Sequence, residues 1–183
     1  MIGSMVFRLF GVLLAAGLSG YIPPIYFDRE DYPSDWPPQG RVSEGCPQLS
    51  GDYRNAGEGR FAVPLARHVL HETADPLKQV EQLRFDGPRV GQVRVELLDG
   101  QGKVLLERHW REGPDYSCDE GWLVRRQTYF WATPVLSGTD SQRFARSQTG
   151  DLLVQTRTEA GGVFLVLPVY RGERFWFRYQ AAD

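Results

Sequence analysis

The alternation in residues 91–111 constrains this chain more than any other stretch. From Gly91 to Leu98, Val93, Val95 and Leu97 fall on one side and Gln92, Arg94 and Glu96 on the other, the period-two pattern of a half-buried strand. Asp99-Gly100-Gln101-Gly102 is a hairpin signal, and the return strand Lys103–Arg111 places Val104, Leu106 and Trp110 together. A chain containing this unit must find a second layer for the apolar side.

The same punctuation recurs on both sides of the hairpin. A strand near Gln79–Phe85 ends at Asp86-Gly87-Pro88, and Gly113-Pro114-Asp115 turns the chain into the long aromatic strand Trp122–Trp131. Leu136–Ser141 reads as a loop around Ser137-Gly138-Thr139-Asp140, with Arg143–Ser147 as a short partner to the strand after it. Leu152–Thr158, Val163–Val169 and Arg174–Gln180 follow as strands, the last two separated from their predecessors by Ala160-Gly161-Gly162 and Arg171-Gly172-Glu173. Val163–Val169 is apolar on both faces and is expected to be a central strand covered on both sides. Upstream, Leu49–Arg54 and Phe61–Val63 are short strand candidates. Leu65–Leu70 has the length and Pro64 entry of a short helix.

These signals define an all-β chain: an antiparallel meander of seven to nine strands, barrel-like (lipocalin-like) or a sandwich, with one short helix near residues 65–70. The barrel is the favoured form, because closure removes edges that invite aggregation. A composition that is 42% hydrophobic and 13% aromatic supplies a sizeable core for one domain over residues 46–183.

The region before that domain has a different logic. Arg8, the apolar run Leu9–Leu18 and the small residues after it have the layout of an export signal over residues 1–20, too short an apolar run to span a bilayer permanently. Cleavage after Gly17 or Ser19 would release a soluble periplasmic protein. Residues 21–45 are rich in Pro and acidic residues with isolated aromatics (Tyr26, Phe27, Tyr32, Trp36), which suits either a linker or an arm lying across the domain over an apolar surface.

Export makes the two cysteines legible. Cys46 and Cys118 are 72 positions apart, and in an oxidising compartment a lone pair is expected to be bonded, with a loop-closure contribution of about 4 kcal/mol. The alternative is two unrelated buried thiols. No C-x-x-C spacing supports zinc.

Candidate chemistry is sparse. His68 and His71 are three apart on the expected helix, the weak candidate for a metal pair, against a bland reading as exposed histidines flanking its apolar stripe. There is no G-x-S-x-G elbow, P-loop or dinucleotide fingerprint, so no catalytic residue is assigned, no cofactor is expected and the chain reads as a non-enzyme. Lys plus Arg number 21 against 23 Asp plus Glu, and the basic residues are scattered, which removes the electrostatic footprint of a nucleic-acid binder. Trp110, Trp122, Tyr129, Trp131 and Trp176 form the speculative ligand-binding set, an aromatic pocket or patch, against the reading that they are simply core.

At Cys46-Pro47-x-Leu49-Ser50-Gly51-x-Tyr53-x-Asn55-x-Gly57, with the later Cys118-x-x-Gly121-x-Leu123, the chain resembles exported lipoproteins of Gram-negative bacteria of uncharacterised function. Leu18-Ser19-Gly20 resembles the end of a lipoprotein signal, but Tyr21 stands where the acylated cysteine would be. A fainter likeness to lipocalins places Gly51-Asp52-Tyr53 at their first-strand motif, with Arg174 or Arg178 packing across it. These resemblances imply architecture and no activity. Two functions are expected of such a domain: a periplasmic or membrane-tethered interaction module with an envelope protein as partner, or a carrier of a small apolar ligand.

Overall fold

The structure, a computed structural model, describes residues 25–40, 45–70, 78–132, 135–164 and 167–182, so the apolar N-terminal run and His71 lie outside the described residues. The hairpin at residues 91–111 forms as its alternation requires. Strand β5 (Gln92–Leu98) pairs antiparallel with β6 (Val104–Arg111), Leu97 opposite Leu106, and the Asp99 carboxylate accepts the N–H groups of Gln101 and Lys103, each at 2.9 Å. With β4 (Gln82–Arg89) and β2 (Gly51–Arg54) it makes a four-stranded sheet in the order β2-β4-β5-β6. The Asp86-Gly87-Pro88 signal does not end β4; the strand runs through it with a shift in register before Arg89.

The second sheet is larger. Strands β7 (Ser117–Asp119), β8 (Trp122–Ala132), β9 (Val135–Arg146), β10 (Leu152–Phe164) and β11 (Leu167–Tyr179) follow one another as antiparallel neighbours. On the far side of β11 lie β1 (Ile25–Arg29), parallel, and β3 (Glu58–Gly59), antiparallel. The two sheets do not close into a barrel. They meet at a bridge between Tyr53 and Ala181 on one side and one between Glu112 and Tyr116 on the other. The edge problem that favoured closure is met differently: β1 and β3 line the open edge of β11, β7 is only three residues long, and β6 carries exposed Glu107, Arg108 and His109.

One core fills the space between the sheets. Leu83, Phe85, Val93 and Val95 of the small sheet face Leu123, Phe144, Leu152, Val154 and Tyr179 of the large one, all buried. The short helix α1 (Leu65–Leu70) closes one side with Leu65, Ala66 and Val69. Its start is organised by buried Asn55. The Asn55 carbonyl accepts the Leu65 N–H (2.9 Å), its side-chain oxygen accepts the Ala66 N–H (2.9 Å), and its amide donates to the Val80 carbonyl (2.7 Å). Asn55→Ala is expected to cost about 2–3 kcal/mol by orphaning the buried groups that it serves, read as a lower urea midpoint at unchanged slope.

The motif around Cys46 is therefore a set of fold contacts. The Tyr53 hydroxyl donates to the Leu49 carbonyl at 2.9 Å, and a Cβ at Gly57 would lie 2.3 Å from Cε1 of the buried Tyr179. Arg174 and Arg178 do not take the lipocalin role expected of them; Arg174 bonds the Glu30 carbonyl and Arg178 pairs with Glu58. Cys46 and Cys118 are bonded, with Cα atoms 5.0 Å apart, so the lead-in to the small sheet is tied to the edge strand of the large one.

Burial raises the Tyr53 hydroxyl to about 12, and raises that of Tyr179, which donates to the Val63 carbonyl, further still. A phenol whose folded value lies above its unfolded value of about 10 binds its proton more tightly in the native state, so its contribution is complete below pH 10 and is lost as pH rises toward 12. Stability should fall through this window by about 1.4 kcal/mol per pH unit for each such group, and Tyr53→Phe should remove one share of that slope in urea titrations.

Candidate interaction surface

The large sheet has two faces with different duties. Its inner face near the chain's core is covered by the small sheet. Its outer face there carries Trp122, Val124, Ala145, Leu153 and Trp176, and these are covered by the proline-rich arm through Tyr32 and Trp36. Tyr32 meets Trp176 edge-on at 4.9 Å and Trp36 at 6.0 Å, and Trp122 lies 5.8 Å from Trp176. The backbone fixes the arm in register: the Glu30 carbonyl accepts the Trp176 indole N–H (3.2 Å), and the Glu30 carboxylate accepts the Trp176 backbone N–H (3.2 Å). Further along, Gln39 bridges to Ser147 and donates to the Gly121 carbonyl. The arm is thus an edge strand from Ile25 to Arg29 and a covering layer from Tyr32 to Gln39.

Of the five aromatic residues expected to form a ligand pocket, Trp122 and Trp176 are brought together, while Trp110 and Tyr129 stand apart from them. Trp110 is in the central core, 5.5 Å from Phe144, with the Arg125 guanidinium stacked 4.2 Å over it. Arg125 also donates to the Val69 carbonyl at the end of α1, and burial lowers its pKa to about 10. Trp122 and Trp176 are under the arm. Tyr129 packs on the inner face beyond the small sheet, where Gly138 leaves it room: a Cβ there would lie 2.6 Å from the hydroxyl. The side chain of Trp131 lies outside the described residues. Trp110, Trp122 and Trp176 are buried by packing, and Tyr129 is half-buried.

His68 is buried rather than exposed, set against Phe177 (4.7 Å) and Tyr179 (5.9 Å), and His109 is exposed beside Glu107 at 2.7 Å. The helix face that was expected to leave it in solvent turns instead toward β11. Ligand atoms of Cys46, Glu112 and Cys118 come within 4.8 Å of one another, but the two sulfurs are bonded to each other and offer no thiolate. Two surface clefts, about 750 Å³ beside Asn55 and Lys78 and about 640 Å³ between Trp36, Asp151 and Arg178, are open to solvent; in the second, the Thr149 hydroxyl donates to the Asp151 carboxylate at 3.2 Å and lies 2.9 Å from the Ser147 hydroxyl, within the turn between β9 and β10.

The remaining feature is the far end of the large sheet. Its strands reach 13 residues, about 43 Å, against seven or eight in β4–β6, so hairpins β8–β9 and β10–β11 overhang the small sheet. Leu136–Ser141 is part of β9, and both Ala160-Gly161-Gly162 and Arg171-Gly172-Glu173 lie inside strands. Val163–Val169 is therefore not a covered central strand. It is the end of a hairpin, with Phe164 opposite Leu167.

Of the seven large hydrophobic side chains exposed among the described residues, four cluster here: Phe130 (66%), Phe27 (54%), Val163 (42%) and Tyr170 (38%). Phe130, Ser137, Gly161 and Tyr170 are successive cross-strand partners and so share one face, with Phe27 stacked 5.4 Å from Tyr170. These residues were missed as a site. The available signal was Pro168: a proline inside an apolar run argues against a central strand.

No family model, curated protein or solved structure matches the chain.

Proposed function

We propose that this chain is an exported, non-catalytic module of the Gram-negative cell envelope, periplasmic or membrane-tethered, which acts through surface contacts with an envelope partner. The observation that carries this reading is where the apolar surface goes. The space between the sheets is filled by buried side chains such as Phe85, Phe144, Leu152 and Tyr179, while four of the seven exposed large hydrophobic side chains among the described residues gather outside, at one end of the large sheet. A carrier needs a hollow interior, and the packing among the described residues favours the interaction module over it. The bonded cysteine pair fits an oxidising compartment.

Native mass spectrometry of freshly purified protein is expected to give the oxidised chain alone, and its tryptophan fluorescence is expected to ignore added fatty acid. A stoichiometric co-purifying lipid would establish the carrier instead. Cell fractionation should place the chain in the periplasm or with membranes; recovery from the cytosol would remove the envelope reading.

A further inference from the structure

The uncovered end has a composition unlike the rest of the chain. Charged residues make up 24% of the sequence, yet none occurs from Gln127 to Thr139 or from Ala160 to Tyr170, the two stretches that form the ends of hairpins β8–β9 and β10–β11. The hairpins finish level with each other, since Val135 pairs with Ala132 on β8 and with Val163 on β10. Immediately behind this uncharged cap comes a collar of both signs: Arg126 and Asp140 on one hairpin, Glu159 and Arg171 on the other, and Asp28 and Arg29 on β1. An aromatic, uncharged cap above a mixed-charge collar matches the profile of a bilayer interface, where aromatic rings sit at headgroup level and ionic groups stay in water.

The direction of β1 selects the occupant. β1 is parallel to β11 and begins with Ile25 opposite Tyr170, so the chain preceding it is joined at the capped end. Six residues separate Ile25 from the apolar run Leu9–Leu18, a reach of at most about 25 Å. The segment with the composition to enter a membrane is therefore connected to the domain beside the uncharged cap.

We propose that this hairpin end docks into the headgroup–acyl boundary of the bilayer that holds the N-terminal segment, with Phe27, Phe130, Val163 and Tyr170 as the inserted side chains. This rests on the membrane-tethered form of the envelope reading. The tether supplies a high effective concentration, so a few inserted side chains suffice to orient the domain. The mixed collar suits zwitterionic headgroups, and the arm, which covers the other end of the same outer face, stands away from the lipid, available to other partners.

The test uses the full chain, synthesised cell-free into phosphatidylethanolamine vesicles containing a minor fraction of phosphatidylglycerol, with hydrogen exchange read by segment. Amides in 128–139 and 160–171 should exchange on the order of ten-fold more slowly than in the Phe130→Ser/Tyr170→Ser double variant, while those of β4–β6 exchange alike in both. Phe27→Ser, on the peripheral strand β1, gives a second variant with a smaller expected loss. A vesicle-bound chain whose hairpin ends exchange as fast as the double variant's overturns the docking and leaves the envelope reading standing; a chain that does not associate with vesicles overturns the tethering as well. Protection that disappears when chains are diluted over more lipid would assign the surface to a second copy. Protection lost when Leu9–Leu18 is exchanged for an unrelated membrane helix would assign it to the chain's own segment. Either result overturns the proposal.

Discussion

Phe144→Ala should destabilise the fold by about 3–5 kcal/mol, the range for removing a fully buried aromatic side chain that its neighbours cannot replace. Phe144 has no exposed surface and stands where the layers meet, within 5.5 Å of Trp110 and 6.5 Å of Phe85, ring centroid to ring centroid. Its own strand is held on both sides, by Leu123 on β8 and Val154 on β10, so the backbone cannot collapse into the space left behind. Urea unfolding followed by tryptophan fluorescence reads the loss directly. The size of the effect separates a packed interior from a hollow one: a residue lining a ligand cavity would lose well under half as much, because part of its surface is already without protein neighbours.

Removing the disulfide should cost about 2–5 kcal/mol, with about 4 expected from a loop of this length. Cys46→Ala/Cys118→Ala, made together so that no lone thiol remains, is the variant of choice. The bond joins the lead-in of β2, in the small sheet, to β7, at the edge of the large sheet, across 72 residues that include the whole of the small sheet. Without it the sheets are held at this corner by the bridge between Glu112 and Tyr116 and by core packing. Unfolding midpoints in the presence and absence of reductant check the effect on the unaltered chain, and a difference below about 0.5 kcal/mol would mean that the staple contributes nothing beyond the packing.

The parts of the fold that were legible are those in which each side chain has one environment. The hairpin pairs as read, with Val93, Val95, Leu97 and Trp110 buried and its turn following from Asp99, although Glu96 and Leu98 are buried too and Val104, expected beside Trp110, is exposed. Leu65–Leu70 was legible for the same reason. The large sheet was harder because its glycines do something other than turn the chain. Gly138 makes room for Tyr129 and Gly172 lies against Phe27, so small residues that punctuate turns elsewhere here permit close approach inside strands of 12 and 13 residues. Reading them as turns cuts the long strands into pieces and leaves Val163–Val169 as an apolar fragment in need of burial.

The barrel was favoured for a sound reason applied to the wrong edge. An open β11 would indeed be a liability, but its partner comes from the arm, whose prolines hid the five-residue strand Ile25–Arg29 from any periodicity. The aromatic set is divided between environments because strands place successive residues on opposite faces. Trp110 belongs to the core between the sheets and Trp122 to the face beneath the arm, two environments that a list of aromatics does not distinguish. The uncovered hairpin end could be found only once the topology put Phe27, Phe130, Val163 and Tyr170 together, since they come from four separate stretches.

The central claim is that this chain acts through the hairpin end of its large sheet and not through an interior cavity. Photocrosslinking in living cells tests it most directly, with a photoreactive residue at Phe130 or Tyr170 compared with one at the exposed Val104 on the opposite sheet. The account predicts lipid adducts at positions 130 and 170 and none at 104. Adducts at 104 alone, or an equal yield at all three positions, would contradict it.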